Sequence, residues 1–256
     1  AEISTKDRYN TTLPLAIYAI ASQTVKVDKL IIFDDGEQID LRAVPLYTHL
    51  FALLQRKGIP WFVNFGNKTG QVANHNLMIQ VAGTDWSWRV DDDDAPEPDC
   101  LEKLMRHIAP DVGAVGGVVW TPEVPPSPEN QSSSMIADLY TAFNLQWSQF
   151  KGVREVEHLH NTFIFRTEAA KHGYCRELSP VGHREETLFS YEIKRAGWRM
   201  LVDPEAVTWH LRDPNGGIRS HTAEDNYQHD EEVFAKKMAA FNVKPDQFQL
   251  VVPDNG

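Results

Sequence analysis

The sequence predicts an α/β fold in which a mostly parallel central sheet is flanked by helices. Short apolar runs typical of strands alternate with longer segments whose apolar residues recur every three or four positions, as on one face of a helix. Such alternation favours parallel strands joined by helices. The chain has 256 residues, of which 42% are hydrophobic and 24% are charged, so one globular domain with a sizeable core is expected.

The predicted elements follow one another along most of the chain. The predicted strands are Lys29–Phe33, Trp61–Phe65, Trp86–Val90, Val112–Val119, Thr162–Phe165, Met200–Val202 and Val207–Trp209. The predicted helices are Leu13–Ser22, Leu46–Lys57, Val72–Ala82, Cys100–Ile108, Ile136–Gln149, Glu185–Ala196 and Glu231–Phe241. The segments Pro122–Ser134 and Arg212–Asp225 are predicted to be loops because turn-forming residues are concentrated in them.

Composition and charge exclude several classes of protein. The net charge of −11 repels phosphate groups, so neither a nucleic-acid partner nor a polybasic membrane anchor is expected. No apolar run reaches the roughly 18 residues that a transmembrane helix needs. Residues 1–20 contain charges where a signal peptide would be apolar, so a cytoplasmic location is expected. Cys100 and Cys175 have no CxxC partner and are expected to be reduced and structural.

Four consecutive carboxylates, Asp91 to Asp94, directly follow the apolar run Trp86–Val90. Adjacent carboxylates repel one another and resist burial, which favours a compensating cation at this strand end. Mg²⁺ and Mn²⁺ prefer oxygen ligands and share their coordination between carboxylates, water and substrate phosphates. In an extended segment Asp91 and Asp93 would point to the same side and could share one ion. The alternative is a solvated acidic turn at the start of the next helix, where Asp is also favoured.

Three further positions could carry chemistry, and each also has a structural interpretation. Asp34 and Asp35 follow a predicted strand, where a carboxylate can accept from a base N–H or a ribose hydroxyl, although Asp-Asp-Gly is also a common turn. Glu185 and Glu186 open a helix, either as partners of the helix dipole or with one of them as a general base. His210 ends a predicted strand as a structural residue or a metal ligand.

Taken in order, these pieces resemble a family-2-type glycosyltransferase with the GT-A fold, over roughly residues 3–210. The early fragments are Ile3–Arg8 with Ala21–Thr24, similar to the first strand and helix of the family, and Asp34-Asp35-Gly36, similar to its DDGS. The middle fragments are Gly70–Asn76, similar to GxxxARN with Asn74 at the usual arginine, and Asp91–Leu101, similar to DxDDxxxPxxL. The late fragments are Asn161–Arg166, similar to nxxxfR, and Glu185–His210, similar to EDxxLxxRxxRAGxxxxxxPxAxxxH.

The resemblance implies a nucleotide-diphospho-sugar transferase-like fold with its functional residues. A single domain over 1–256 would have a nucleotide-binding half (1–120), an acceptor and catalytic half (121–225) and a C-terminal helix and tail (226–256). The residues implied to bind the nucleotide sugar are Thr5, Asp7, Arg8, Asp34, Asp35, Asn74, Asp91, Asp92 and Arg219. Among these, Asp34 would recognise the base. Asp91, Asp93 and His210 would bind Mn²⁺ or Mg²⁺.

The implied reaction is the inverting transfer of one hexose from a nucleotide-diphosphate sugar, with UDP-sugars favoured, to an acceptor hydroxyl. Glu186 stands where the family has its catalytic Asp, and because Glu is one methylene longer, Glu185 is the alternative base. A glycan, a lipid-linked acceptor and a small molecule all stay open as acceptors. A non-processive enzyme is expected because no Gln-x-x-Arg-Trp follows His210.

Other functions remain open on the same scaffold. A retaining transferase or a nucleotidyltransferase could share the fold, since fold alone does not determine chemistry. A nucleotidyltransferase is expected to have a Gly-rich loop after its first strand, whereas Thr5–Leu15 contains no glycine. A catalytically inactive nucleotide- or carbohydrate-binding protein is the third possibility. The absence of GxGxxG and GxxxxGK[ST] argues against a nicotinamide site and a P-loop.

Overall fold

The computed structural model describes residues 1–128, 135–136, 145–213, 217 and 224–243. The strands are β1 (Glu2–Thr5), β2 (Leu30–Asp34), β3 (Trp61–Phe65), β4 (Trp86–Arg89), β5 (Asp94–Pro96), β6 (Val112–Trp120), β7 (Ser127–Pro128), β8 (Met135–Ile136), β9 (Ser148–Gln149), β10 (Arg154–Val156), β11 (Phe163–Arg166) and β12 (Arg199–His210). The helices are α1 (Leu13–Ala21), α2 (Pro45–Arg56), α3 (Gln71–Val81), α4 (Cys100–Met105), α5 (Glu185–Arg195) and α6 (Glu224–Ala240), with a 3₁₀ turn at Leu41–Ala43.

A ten-stranded sheet runs through the fold in the order β3-β2-β1-β4-β11-β6-β12-β10-β8, with β5 paired to β12. Strands β1 to β4 are parallel to their neighbours in this group. Strand β11 is antiparallel to both β4 and β6, whereas β12 is parallel to β6. The predicted α/β fold is confirmed, and the sheet is mixed, because antiparallel pairs formed by β11 and by β12 accompany its parallel pairs. The apolar pattern of a buried strand carries no information on its direction, so β11 could not be oriented from the sequence.

Apolar side chains cover both faces of this sheet. On one face, α1, α2 and α4 contribute a core that includes Ile17, Leu54 and Leu104. On the other face, α5 and α6 contribute a core that includes Phe189 and Phe234. Helices on both faces leave the strand ends as the places where polar side chains can gather, and in α/β sheets ligands bind outside the carboxyl ends of the parallel strands.

Several predicted boundaries differ from the structure. The runs Met200–Val202 and Val207–Trp209 belong to the single strand β12, which has an irregularity between Asp203 and Val207. Helix α6 begins at Glu224, so the predicted loop Arg212–Asp225 ends earlier than expected. The predicted helix Ile136–Gln149 is wrong at both ends, because Ile136 lies in β8 and Ser148–Gln149 in β9. Pairing with neighbouring strands outweighs the helical pattern there, and residues 137–144 lie outside the described part of the chain.

The remaining expectations concern location, domain division and cysteines. None of the described helices is both long and apolar enough to cross a membrane. The cytoplasmic location and the division of the domain at residues 120 and 225 stay predictions. Cys100 and Cys175 are free thiols.

Candidate active site

The candidate site lies where β1, β2 and β4 end side by side. Because these strands are parallel neighbours, Thr5, Asp34 and the residues after Arg89 meet at the same edge of the sheet. The end of β12 joins them, since His210 pairs with Asp94 in the antiparallel ladder between β12 and β5. Residues that are far apart in the sequence therefore form one polar cluster.

Asp92 and Asp93 are held by the end of β1. The hydroxyl of Thr5 donates to Asp92 Oδ2 at 2.7 Å. Arg8 Nη1 lies 2.6 Å from Asp92 Oδ1 and 2.8 Å from Asp93 Oδ2. Three of the predicted nucleotide-binding residues, Thr5, Arg8 and Asp92, are therefore brought together, and a guanidinium lies against two of the carboxylates.

Asp93, Asp94 and His210 form a group that could hold a metal ion, because one ligand atom from each lies within 4.8 Å of the others. His210 Nδ1 is 3.1 Å from Asp94 Oδ1 and 3.6 Å from Asp93 Oδ1. Thr162 donates its hydroxyl proton to Asp94. The sequence prediction placed Asp93 and His210 together, and the structure adds Asp94 to them.

Burial makes the carboxylates of this cluster difficult to ionise, although Arg8 and His210 lie beside them. Burial raises the pKa of Asp92 to about 7 and also raises the pKa values of Asp93 and Asp94. Burial disfavours a charged His210, but the hydrogen bond to Asp94 and the nearby carboxylates outweigh it and raise the pKa of His210 to about 9. Buried carboxylates that resist ionisation are stabilised by a divalent cation, and oxygen ligands with one imidazole suit Mn²⁺ or Mg²⁺. The residues present therefore fit the metal that the sequence implied.

Asp91 occupies a different environment from the other three aspartates. The backbone turns after β4, with the Asp94 N–H donating to the Asp91 carbonyl at 3.1 Å, so the segment is not extended. Asp91 consequently does not join Asp93 in the group described above, and its Oδ1 lies 3.0 Å from Arg89 Nη2. Burial opposes ionisation of Asp91, but Arg89 outweighs it and lowers the pKa of Asp91 to about 2. Its predicted role as a metal ligand stays a prediction, without support from this geometry.

Arg89 is a functional candidate that the sequence analysis did not single out. Its side chain is 1% exposed and extends from β4 to the start of α5, where Nη1 lies 2.7 Å from Glu185 Oε1 and Nη2 lies 3.4 Å from Glu186 Oε1. Burial disfavours the charge, but Glu185, Asp91 and Glu186 outweigh it and hold the pKa of Arg89 well above its ordinary range. The signal in the sequence is an arginine within an apolar strand, since a buried arginine requires buried acidic partners.

The two glutamates that begin α5 differ in accessibility. Glu185 is 0% exposed, and besides Arg89 its Oε1 lies 3.4 Å from Gln71 Nε2 and 3.9 Å from His75 Nε2. Burial holds the pKa of Glu185 well above its ordinary range. The Glu186 side chain is 15% exposed. Of the two predicted bases, only Glu186 therefore has a carboxylate that a substrate can reach.

The carboxylates after β2 have separate partners. Asp34 Oδ1 accepts from the Tyr9 hydroxyl at 2.7 Å and from the Gly36 N–H at 2.8 Å. Its Oδ2 is buried and has no hydrogen-bond partner among the described residues. Burial raises the pKa of Asp34. A buried acceptor without a donor suits a ligand N–H, which agrees with the predicted role of Asp34 in recognising a base.

Asp35, Asp7 and Asn74 mainly bind other parts of the chain. Asp35 accepts the Gly70 N–H at 2.8 Å and the Lys68 N–H at 3.2 Å, which fixes the loop between β3 and α3. Asp7 accepts the Glu37 N–H at 2.8 Å. Asn74 donates to Ser4 Oγ at 2.9 Å. Their predicted contacts with a nucleotide stay predictions.

His75, rather than Asn74, faces the buried acidic residues beneath the site. His75 Nδ1 lies 3.0 Å from Glu2 Oε1, and Nε2 is the atom closest to Glu185.

Arg219 lies outside the described residues. Two described positions near it, Asp213 and Gly217, contact the end of β1 through Arg8 and Lys6: Arg8 Nη2 donates to the Asp213 carbonyl at 3.3 Å, and the Gly217 N–H to the Lys6 carbonyl at 2.7 Å.

Solved glycosyltransferase structures share this fold. The chain resembles S. aureus TarS 1-349 in complex with UDP-GlcNAc, with a TM-score of 0.65, 16% identity and coverage of 93% of this chain and 65% of that one. GalNAc-T7 with UDP, GalNAc and Mn²⁺ gives a TM-score of 0.65, 11% identity and coverage of 91% and 47%. Mannosyltransferase PcManGT from Pyrobaculum calidifontis, in complex with GDP-Man and Mn²⁺, gives 0.64, 15% identity and coverage of 93% and 63%.

The chain spans less than two thirds of the length of each of these structures. No curated protein sequence matches it. The sequence profile described as Glycosyl transferase family 2 matches residues 3–172, which is more than half of the chain and includes the strand ends that carry Thr5, Asp34 and Asp93. The chain therefore belongs to glycosyl transferase family 2 and has the GT-A fold expected of it.

Proposed function

We propose that the chain is a metal-dependent inverting glycosyltransferase that moves one sugar from a nucleotide-diphosphate sugar to an acceptor hydroxyl. The observation that carries this proposal is the position of Glu186 beside the acidic cluster, by which we mean Asp91 to Asp94. Glu186 and Asp91 both lie within 3.4 Å of the same nitrogen of Arg89, and Asp91 is two residues from Asp93. A reachable carboxylate and a candidate cation site therefore lie at the same edge of the sheet, connected through Arg89.

The donor would bind at the ends of β1 and β2. Asp34 Oδ2 offers a buried acceptor for a ring N–H of the base. Uracil and guanine carry such an N–H, whereas the ring nitrogen of cytosine is an acceptor, so a uridine or guanosine donor is favoured over a cytidine donor. We favour a UDP-sugar, because two of the structures compared above hold UDP or a UDP-sugar. Arg8, beside Asp92 and Asp93, can supply positive charge to the diphosphate.

Asp93, Asp94 and His210 would hold the metal ion, as Mn²⁺ or Mg²⁺. When bound, the ion stabilises negative charge on the diphosphate leaving group as a Lewis acid. Thr162 orients Asp94, and the β5–β12 pairing brings His210 next to it. Asp93 is also the ligand that Arg8 contacts, so Arg8 would add positive charge next to the residues that would hold the ion.

Glu186 would act as the general base. Its carboxylate takes the proton of the acceptor hydroxyl while the oxygen attacks the anomeric carbon, and the bond to the diphosphate breaks on the opposite side. A single displacement inverts the anomeric configuration. Arg89 would orient Glu186, and Glu185 binds the same guanidinium from inside the protein. Glu185 is thus a positioning residue in this proposal.

The test measures donor consumption and the role of Glu186 together. The protein is incubated with UDP-, GDP-, CDP- and dTDP-sugars and Mn²⁺, with EDTA as the control, and release of free nucleotide is followed. We expect turnover of one donor that EDTA abolishes. Glu186→Gln should lower the rate by about 10²-fold or more while leaving nucleotide binding intact.

Two other outcomes would redirect the proposal. If no donor is cleaved and none raises the melting temperature, the proposed donor site and the roles of Glu186 and the metal ligands are wrong, and binding of a carbohydrate without transfer becomes the better candidate. If the product retains the anomeric configuration of the donor by NMR, the single displacement and the role of Glu186 as its base are wrong.

A further inference from the structure

A buried carboxylate of α6 holds the segment that leads into the proposed base. We call residues Ser179–Arg184, which precede α5 directly, the base loop. Asp230 on α6 is 0% exposed. Its Oδ1 accepts the Ser179 N–H at 2.6 Å, and its Oδ2 accepts the Ser179 hydroxyl at 2.9 Å and the His183 N–H at 2.8 Å. One side chain thus fixes the backbone at both ends of the base loop.

The next residue of α6 holds the side chains of the same loop. Glu231 Oε1 accepts from His183 Nε2 and from Arg184 Nε, each at 2.8 Å. The guanidinium of Arg184 also lies 4.8 Å from the centre of the Phe234 ring. Arg184 has a φ of +68°, in the left-handed region that is uncommon for residues other than glycine, and it immediately precedes Glu185. Such a conformation persists only where surrounding contacts impose it.

On its other side the base loop packs against the proposed donor-binding half. A Cβ at Gly70 would overlap the carbonyl oxygen of Pro180, so the two backbones are in direct contact. The Gly70 N–H donates to Asp35, which follows Asp34 at the end of β2. The base loop therefore lies between α6 and the loop that joins β3 to α3. Its backbone contacts the second loop directly, because Gly70 has no side chain.

Docking of α6 does not require this carboxylate. Val233, Phe234 and Met238 already bury apolar side chains of the helix in the core. Burying a carboxylate is unfavourable unless several donors satisfy it, as the base loop does here. Its three hydrogen bonds constrain the backbone of the base loop, which leads directly into α5 and Glu186.

We propose that Asp230 is a positioning residue for transfer, which sets the position of Glu186 through the base loop. This inference rests on the function proposed above for Glu186. The family match ends at residue 172, so it assigns no role to α6. Asp230 touches no substrate in this proposal and acts only through Ser179 and His183.

The test is Asp230→Asn, which replaces one acceptor oxygen by an NH₂ group. Because the Ser179 and His183 N–H groups donate to different oxygens of Asp230, the variant loses one of these two hydrogen bonds. We expect kcat to fall about tenfold or more, as positioning errors near 1 Å do, with the donor KM and the nucleotide affinity within about twofold of wild type. Ser179→Ala removes the hydroxyl that donates to Asp230 and accepts the Val181 N–H, but it keeps both backbone N–H groups of the base loop on Asp230, so it should give a smaller fall in kcat. Glu232→Gln, an exposed change on the same helix, is the control and should leave kcat unchanged.

Hydrogen exchange gives a readout that does not depend on turnover. Amides of residues 179–190 should exchange faster in Asp230→Asn, whereas those of residues 86–94 should be unchanged. Unchanged kcat in an active enzyme would overturn the proposal, as would equal losses of kcat and nucleotide affinity, which indicate general destabilisation. If Asp230→Asn does not fold, Ser179→Ala decides by the same criteria. A wild type without turnover would instead overturn the proposed function, and hydrogen exchange would still show whether Asp230 fixes the base loop.

Discussion

Arg89 and Glu185 form an ion pair of 2.7 Å in which both side chains are fully buried. Arg89 comes from β4, which leads into the acidic cluster, and Glu185 begins α5, which carries the proposed base. Moving two charges from water into the protein interior is unfavourable, and each charge of the pair compensates the other. Removing one member therefore leaves a buried charge without its partner. What the pair provides is a rigid connection between the two halves of the site, since the same guanidinium also reaches Asp91 and Glu186.

Removing one member of this pair should be more damaging than removing both. Arg89→Met leaves Glu185 buried without its cation, and we expect a loss of about 3–5 kcal/mol in the free energy of unfolding. The double variant Arg89→Met, Glu185→Met should recover part of that loss, because it removes the fully buried Glu185 carboxylate while Asp91 and Glu186 still lose their guanidinium. Urea unfolding measures both values.

The matched control for this cycle is Arg42→Met. Arg42 pairs with Asp40 at 2.7 Å, but both side chains are exposed, so no measurable change is expected. If the double variant were as unstable as Arg89→Met alone, the loss would come from packing around the arginine stem rather than from the unpaired carboxylate.

The adjacent residues Asp34 and Asp35 should give opposite effects. Asp34→Asn can keep its oxygen on the Tyr9 hydroxyl and the Gly36 N–H only by placing its NH₂ group where a base N–H would donate, so we expect nucleotide affinity to fall about tenfold or more with little change in stability. Asp35→Asn removes an acceptor for the backbone N–H groups of Lys68 and Gly70, and we expect about 1–3 kcal/mol lower stability. Calorimetric titration with nucleotide and urea unfolding separate the two. Equal losses of affinity in both variants would show that Asp34 has no special role.

The sequence predicted the parts of the site that depend on strand topology alone. Asp34, Asp93 and His210 each follow or end an apolar run, and carboxyl ends of parallel strands meet at one edge. The sequence could not predict that the backbone turns at Asp92 and Asp93. The apolar pattern ends at Val90, and four identical residues do not indicate which side chains point to the same side. The structure therefore groups Asp94, and not Asp91, with His210.

The sequence also could not predict side-chain contacts that depend on how distant elements pack together. Arg89 needed an acidic partner, but nothing in a strand pattern indicates that the partner lies at the start of α5. The choice between Glu185 and Glu186 required their burial, which differs between adjacent residues of one helix because they point about 100° apart. Asp230 lies in a region that resembled no family motif, and only its contacts with Ser179 and His183 reveal it.

Glu231 should give a pH-dependent contribution to stability. Burial opposes its ionisation, but the hydrogen bond from His183 and the charge of Arg184 outweigh burial and hold the pKa of Glu231 below its ordinary range near 4.3. Because the folded-state pKa is the lower one, the contribution is fully present above about pH 4.3 and is lost as the pH falls through the folded-state pKa. Since the side chain is 44% exposed, Glu231→Gln should cost less than about 1 kcal/mol at pH 7.

Urea unfolding of Glu231→Gln between pH 7 and pH 3 checks this dependence. The difference from wild type should shrink towards the acid end of the series, as the Glu231 carboxylate of the wild type takes up a proton. Glu232→Gln is the control on the same helix. A difference that stays constant with pH would show that shape, and not charge, accounts for the effect of Glu231.

The acidic cluster allows the metal ligands to be assigned by a single series of variants. Three variants each remove one proposed ligand: Asp93→Asn, Asp94→Asn and His210→Gln. We expect each of them to lower Mn²⁺ affinity about tenfold or more, since even losing a residue that only hydrogen-bonds to a metal ligand has an effect of this size. Asp91→Asn should change Mn²⁺ affinity by less than about threefold, because Asp91 lies on Arg89 and contributes mainly charge. Electron paramagnetic resonance of free Mn²⁺, in the presence of UDP, measures the affinities without turnover. The comparison between Asp94→Asn and Asp91→Asn is decisive, since the structure favours the first and the family resemblance the second. A larger loss in Asp91→Asn would mean that the ion competes with Arg89 for the Asp91 carboxylate, and binding of the ion would then leave Arg89 to Glu185 and Glu186.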